Sequence, residues 1–157
     1  MKHTLSVMVE NKPGVLARVA GLFSRRGFNI DSLAVGVTEK PEVSRMTVVV
    51  NVEEHSLEQV YKQLNKLINV IKVIDLPDDN SVQREMIMVK VKADAKTRAE
   101  VIEIVDIFRG KVVDVGKGTI SIEVTGPASK LTAFEELLRP YGLVELVRTG
   151  TIALPRG

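Results

Sequence analysis

Between Glu10 and Asn29 the chain gathers the groups that a free amino acid would need in a binding site. Gly14 stands where an alternating apolar stretch gives way to helical spacing. The amides that follow it, on Val15 and Leu16, are donors without partners at a helix N-terminus and suit a carboxylate. The helix dipole adds about 0.3–1 kcal/mol for an anion at that point. Glycine at position 14 permits close approach of a ligand and an unusual backbone angle. Asn11 and Asn29 carry side-chain carbonyls that accept hydrogen bonds from an ammonium group. Val15, Leu16 and Ile30 supply aliphatic walls. The same spacing also has an ordinary structural reading. Asn11 can be a turn residue, Gly14 can ease a tight turn after Pro13, and Asn29 can cap a loop after Gly27. The corresponding loop of the second half, Ala93-Asp94-Ala95-Lys96, has no glycine, and Lys111 and Val112 stand where the second asparagine would be. A ligand site therefore belongs to the first half.

No other constellation competes with this one. The chain has no cysteine, which excludes disulfides, thiolate metal sites and cysteine nucleophiles. His3 and His55 are isolated and read as solvated residues. Glu53-Glu54, Asp78-Asp79 and Glu135-Glu136 are adjacent pairs whose side chains diverge, so a solvated surface is the expectation. Metal-ligand spacing, a Walker A loop, G-x-S-x-G and G-x-G-x-x-G are all missing. With 22 basic and 20 acidic residues and no basic block, the chain lacks the footprint of a nucleic-acid binder. Its apolar runs are strand-sized, too short for a membrane span, and Met1-Lys2-His3-Thr4-Leu5 enters an alternating pattern directly. A cytoplasmic protein is expected.

The elements that must position these residues repeat one plan. Leu5, Val7 and Val9 alternate as a half-buried strand. Val15, Leu16, Val19, Leu22 and Phe23 follow at helical spacing, with Gly27 as the stop. Residues 29–38 and 44–52 read as strands. Ser56 and Gln59 read as a capping box for a second helix, and residues 70–76 as the closing strand. After Pro77-Asp78-Asp79-Asn80-Ser81 the order recurs, with a strand at 84–92 and a Thr97/Glu100 capping box for a helix ending at Gly110. Strands at 111–115 and 119–125 flank a Gly116-Lys117-Gly118 hairpin. A fourth helix breaks at Pro140 and Gly142, and residues 143–148 close the unit. The expected fold is α+β, two tandem ferredoxin-like βαββαβ domains at 1–76 and 83–157 joined by a linker at 77–82.

That order also serves RNA-recognition modules and acylphosphatases. Aromatics are only 4% of residues, too few for base-stacking strands, and Arg18 lies inside the helix rather than in a phosphate-cradling loop. Val48-Val49-Val50 is apolar on both sides of its strand, where a sheet covered on one face should alternate. A partner sheet or subunit packed against that region is the expectation, and with it a homodimer at least.

The run Glu10-Asn11-x-x-Gly14-x-Leu16-x-Arg18-x-x-Gly21-Leu22-Phe23-Ser24-x-Arg26-Gly27-x-Asn29-Ile30-x-Ser32-Leu33 resembles the ACT domain of the regulatory, or small, subunits of acetolactate synthase (acetohydroxyacid synthase). Ser44-Arg45-Met46-Thr47, Arg84-Glu85, Ile107-Phe108-Arg109-Gly110 and Arg148-Thr149-Gly150 extend the likeness over essentially the whole chain. The resemblance implies an N-terminal ACT domain, a C-terminal ACT-like domain and no catalysis by the chain itself. It implies a catalytic large subunit that carries thiamine diphosphate, Mg2+ and FAD, which this chain activates. It implies feedback inhibition within branched-chain amino acid biosynthesis by a small aliphatic amino acid, typically valine, bound where two ACT domains meet in a homodimer. Asn11, Gly14, Val15, Leu16, Asn29 and Ile30 are the effector contacts it points to. A stand-alone amino-acid-binding ACT protein acting on another enzyme is the alternative.

Overall fold

A computed structural model describes residues 1–157, apart from the side chains of Glu54 and His55. The expectation of a solvated His55 lies outside the described residues. Two compact units emerge, Met1–Gln83 with Gly150–Gly157, and Arg84–Thr149. Each contains a four-stranded antiparallel path with two helices, as the α+β reading anticipates.

In the first unit the elements run β1 (Lys2–Glu10), α1 (Val15–Arg25), β2 (Asn29–Val37), β3 (Val43–Asn51), α2 (Glu54–Asn65) and β4 (Val70–Asp75). The sheet order is β2-β3-β1-β4, with β3 antiparallel to both β1 and β2. Leu5, Val7 and Val9 of β1 line up with Met46, Val48 and Val50 of β3 in one core, against Val15, Val19, Leu22 and Phe23 of α1 and Val60 and Leu64 of α2. The period-2 strands and the 3.6-residue helix stripe thus meet on one face. Gly27 takes a positive φ of 71° and ends α1 as expected. Ser56 is not a cap: α2 starts two residues earlier with Glu53 at the N-cap, and the Ser56 amide already donates to the Glu53 carbonyl at 2.9 Å.

Tyr61 on α2 packs against this core. Burial, and then the Asp75 carboxylate, pushes its hydroxyl from the usual 10 up to about 12. Because the folded-state value is raised, the unfolded chain loses the proton first as pH rises. Stability is therefore expected to hold below pH 10 and to fall through the window up to 12. Tyr141, held up by its hydrogen bond to Glu100, acts in the same direction. Urea titrations across that window should show a shallower fall for Tyr61→Phe than for the parent chain, and parallel curves would refute this origin.

The second unit follows with β5 (Ser81–Lys92, shared with the first unit at its start), α3 (Arg98–Ile107), β6 (Lys111–Val115), β7 (Thr119–Gly126), α4 (Ala128–Leu138) and β8 (Leu143–Arg148). Its sheet order is β6-β7-β5-β8. Ile87, Val89 and Val91 of β5 and Ile120, Ile122 and Val124 of β7 share a core with Val101, Val105, Leu131, Phe134 and Leu138. The Thr97/Glu100 box does not form. Asp94 caps the helix entry instead, its Oδ1 accepting from the Lys96 and Thr97 amides at 2.8 and 2.9 Å. These bonds hold its carboxyl below the ordinary carboxylate value. The two Arg-Gly pairs also differ. In the second pair Arg109, at φ 56°, takes the left-handed position, while Gly110 is needed for contact, since a Cβ there would lie 2.7 Å from Val124 Cγ2.

Residues 77–82, read as a linker, hold a turn of 3-10 helix (Asp78–Asn80) and the first residues of β5. The last residues, read as part of a unit at 83–157, form a further strand, β9 (Ile152–Pro155), which pairs with β5, and Gly150–Gly157 clusters with the first unit. The Thr151 amide donates to Ser32 Oγ at 2.7 Å, and the Arg156 amide to the Asn80 carbonyl at 2.9 Å. This tail alters the meaning of the apolar β3. Val49 sits opposite Thr4 on one side and Ser32 on the other, on the face without helices. Thr4, Ser6, Thr47 and Val49 are all buried within one chain. Part of the cover comes from the tail at Ser32 and from Gln83, whose side chain meets the Thr4 hydroxyl at 3.5 Å. The burial of Val49 therefore gives no support to a second copy on this face.

Candidate functional site

Gly14 is the N-cap of α1, at φ 84° and ψ −10°. An L residue rarely adopts that backbone, and glycine meets it without a steric penalty. A Cβ built on Gly14 meets nothing within 4 Å, so the space beside the helix N-terminus is open. The Val15 amide turns back to the Lys12 carbonyl at 3.4 Å. The unpaired donors are those of Leu16 and Ala17, one residue further along than the sequence reading had them. Val15 itself is 3% exposed and belongs to the core, while Leu16 is 46% exposed and presents the aliphatic surface.

Asn11 is fixed beside this helix end. Its amide donates to the Glu42 carbonyl at 2.8 Å and its Nδ2 to the Pro41 carbonyl at 3.0 Å. With Nδ2 committed, Oδ1 is the acceptor that Asn11 has to offer. Lys12 pairs with Glu10 at 2.6 Å, and Arg18 Nη1 donates to Asn69 Oδ1.

Asn29 and Ile30 lie elsewhere. Asn29 pairs with Asn51 at the far end of β3, whereas Asn11 is bonded to residues just before the start of β3. From Glu42 to Asn51 an extended strand at ~3.4 Å per residue spans roughly 30 Å. The topology compels this separation. β1 and β2 are parallel strands joined through α1, so the end of β1 and the start of β2 lie at opposite ends of the sheet. One copy cannot bring Asn11, Gly14 and Leu16 together with Asn29 and Ile30 on a single small ligand, and a clamp within one chain is excluded.

The Asn29 end has its own polar set. Asn29 Nδ2 donates to Asp31 Oδ1 at 3.0 Å, and Lys2 Nζ lies 3.5 Å from Asp31 Oδ2. Asn29 Oδ1 is left as an acceptor. Asp31 was not singled out from the sequence, although Asn29-x-Asp31 on one strand is the spacing that puts both on one side. Ile30 is partly buried against the first core. His3, expected to be solvated, is only partly exposed, and its Nε2 is buried without a partner. Among the described residues no cluster of three or more metal-ligating side chains occurs, and no helix is long and apolar enough to cross a membrane.

Comparison with known proteins covers both units. A family model described as AHAS small subunit-like ACT domain matches residues 5–72, and one described as small subunit of acetolactate synthase matches residues 84–157. The acetolactate synthase small subunit of Mycolicibacterium smegmatis is 59% identical over 155 residues, spanning 99% of this chain and 91% of that protein. The probable acetolactate synthase small subunit of Archaeoglobus fulgidus is 55% identical over 157 residues, spanning 100% and 98%. A crystal structure of the small subunit of acetolactate synthase from Thermotoga maritima superposes with a TM-score of 0.95 at 43% identity, covering 100% of this chain and 98% of that one.

Proposed function

The chain belongs to the regulatory small subunits of acetolactate synthase, and from that membership we propose that it activates the catalytic subunit and confers feedback inhibition by a branched-chain amino acid, first of all valine. Catalysis then resides in the large subunit with its thiamine diphosphate, Mg2+ and FAD. This chain contributes an effector switch.

The observation that carries the effector reading is the division of ligand-type groups between the two ends of one sheet. The helix end offers two unpaired amides and an open space for a carboxylate. The strand end offers Asn29 Oδ1 beside the Asp31 carboxylate for an ammonium group. A homodimer that sets the helix end of one copy against the strand end of the other completes a zwitterion site from both. A two-fold axis then generates two equal sites. Leu16 supplies an aliphatic contact at the join and favours a side chain of valine size over a charged one.

Mixed dimers test this directly. Asn11→Ala and Asn29→Ala copies should each lose valine inhibition of the reconstituted enzyme when assembled alone. Co-refolded together, hybrid dimers hold one site with both asparagines and one with neither. Half of the valine sites should return in the hybrid fraction, measured by calorimetric stoichiometry. Failure of hybrids to regain any binding would overturn the shared site. Failure of the parent chain to co-purify with, or stimulate, the large subunit would overturn the regulatory reading.

A further inference from the structure

The tail that returns to the first unit begins, at Gly150 and Thr151, against Ser32 and Leu33, a few residues beyond Asn29 in the amine half of the proposed effector site. The register of β2 against β3 shifts between Ile30 and Ser32, so Asp31 occupies a bulge. Bulges re-aim side chains and are specific features of a fold. Here the bulge residue accepts from Asn29 Nδ2 at 3.0 Å and pairs with Lys2 at 3.5 Å. The residue after it, Ser32, accepts from the Thr151 amide at 2.7 Å. Gly150 lies against the next peptide so closely that a Cβ would overlap the Leu33 carbonyl and stand 3.1 Å from the Ala34 amide nitrogen. Thr151 and Ala153 are each 6% exposed, so one side of the tail is packed, while Ile152 and Leu154 face outward at 61% and 59%.

Resting on the effector reading above, we propose that Gly150, Thr151 and Ser32 are positioning residues for Asn29. The tail pins the bulge, and the pinned Asp31 holds the Asn29 carboxamide by its nitrogen. A carboxamide anchored through its Nδ2 presents its Oδ1 on the other side, where an ammonium group is to be received. None of the three residues touches the ligand. Gly150 is glycine because the approach that sets the bulge leaves no room for a side chain.

The test uses the full chain and valine as the probe. Ser32→Ala removes the acceptor and Ser32→Thr keeps it. Gly150→Ala displaces the tail. Loss of one positioned hydrogen bond should weaken valine binding by calorimetry on the order of tenfold in Ser32→Ala. Gly150→Ala should show at least as much, and Ser32→Thr should restore parental affinity. The melting temperature of Ser32→Ala should fall by no more than several degrees. Unchanged affinity in both Ser32→Ala and Gly150→Ala overturns the proposal. So does a loss of affinity that Ser32→Thr fails to rescue, since that marks a packing role for the serine. If the parent chain itself binds no valine, the effector reading fails, and amide exchange at Asp31, Ser32 and Leu33 then judges the tail alone. Exchange there must quicken in Gly150→Ala, and unchanged protection overturns the pinning.

Discussion

Replacing Gly14 with aspartate is expected to weaken valine binding about a thousandfold and to leave the chain folded. The new carboxylate would stand at the N-cap of α1, beside the unpaired Leu16 and Ala17 amides. An effector carboxylate held there would face it at about 4 Å. Two like charges at that distance repel by about 4 kcal/mol at an effective dielectric near 20. At 1.4 kcal/mol per tenfold, that is close to three orders of magnitude. The cost to folding is about 1–2 kcal/mol of backbone strain, because φ 84° is unfavourable for any L residue. A Cβ at position 14 meets nothing within 4 Å, and aspartate is among the few residues that visit positive φ. An acidic N-cap is also favourable to the helix dipole. The measurement is acetolactate formation by the reconstituted subunits with and without valine, beside a thermal melt of the variant. Activation without inhibition is the expected outcome. Inhibition at parental valine concentrations would move the effector away from this helix.

Phe134→Ala should have the largest effect on stability. The ring is fully buried, lies 5.3 Å from the Phe108 ring at 59°, and packs among Leu131 and Leu138. Removing a buried phenylalanine costs about 3–5 kcal/mol through lost transfer energy and the cavity left behind. Whole domains are stable by only ~5–15 kcal/mol. The loss should fall on one unit, because the two cores share no residue. Calorimetry should resolve an early transition for Arg84–Thr149 and a later one that valine still raises. A single transition that moves as a whole, with valine linkage gone, would contradict independent cores.

Much of this architecture is legible in the residues themselves. Leu5-x-Val7-x-Val9 and the Val15, Val19, Leu22, Phe23 stripe have periods that admit only one partner face, and both elements form with ends close to those expected. Caps are less legible. Ser56 and Thr97 each stand in a run of polar residues, and a Ser/Thr-x-x-Glu/Gln pattern does not say which of several polar side chains closes the turn. Asp94 wins because its carboxylate reaches two amides at once. β9 is short and ends in proline, so local pattern gives it little weight, and its pairing is with a strand far away in sequence. The site is half legible. Its residue types suit an amino acid, and the resemblance points to the positions proposed to bind it. Their division between opposite ends of the sheet follows from the parallel β1-α1-β2 crossover, a rule of topology that a list of side chains conceals.

On the proposed reading, that division bears on how effector sensitivity behaves in solution. A pocket built from one chain is present at every dilution. A pocket that needs Asn11 from one copy and Asn29 from another exists only in the paired fraction, so the inhibitor's apparent potency becomes a function of subunit abundance. Linkage runs the other way as well. Whatever free energy the amino acid gives to the site, it gives to pairing, as RT ln(1 + [L]/Kd) for each site filled. A cell rich in the end product would hold its regulatory subunits together more tightly, and one that makes too few of them would lose feedback before it loses the protein.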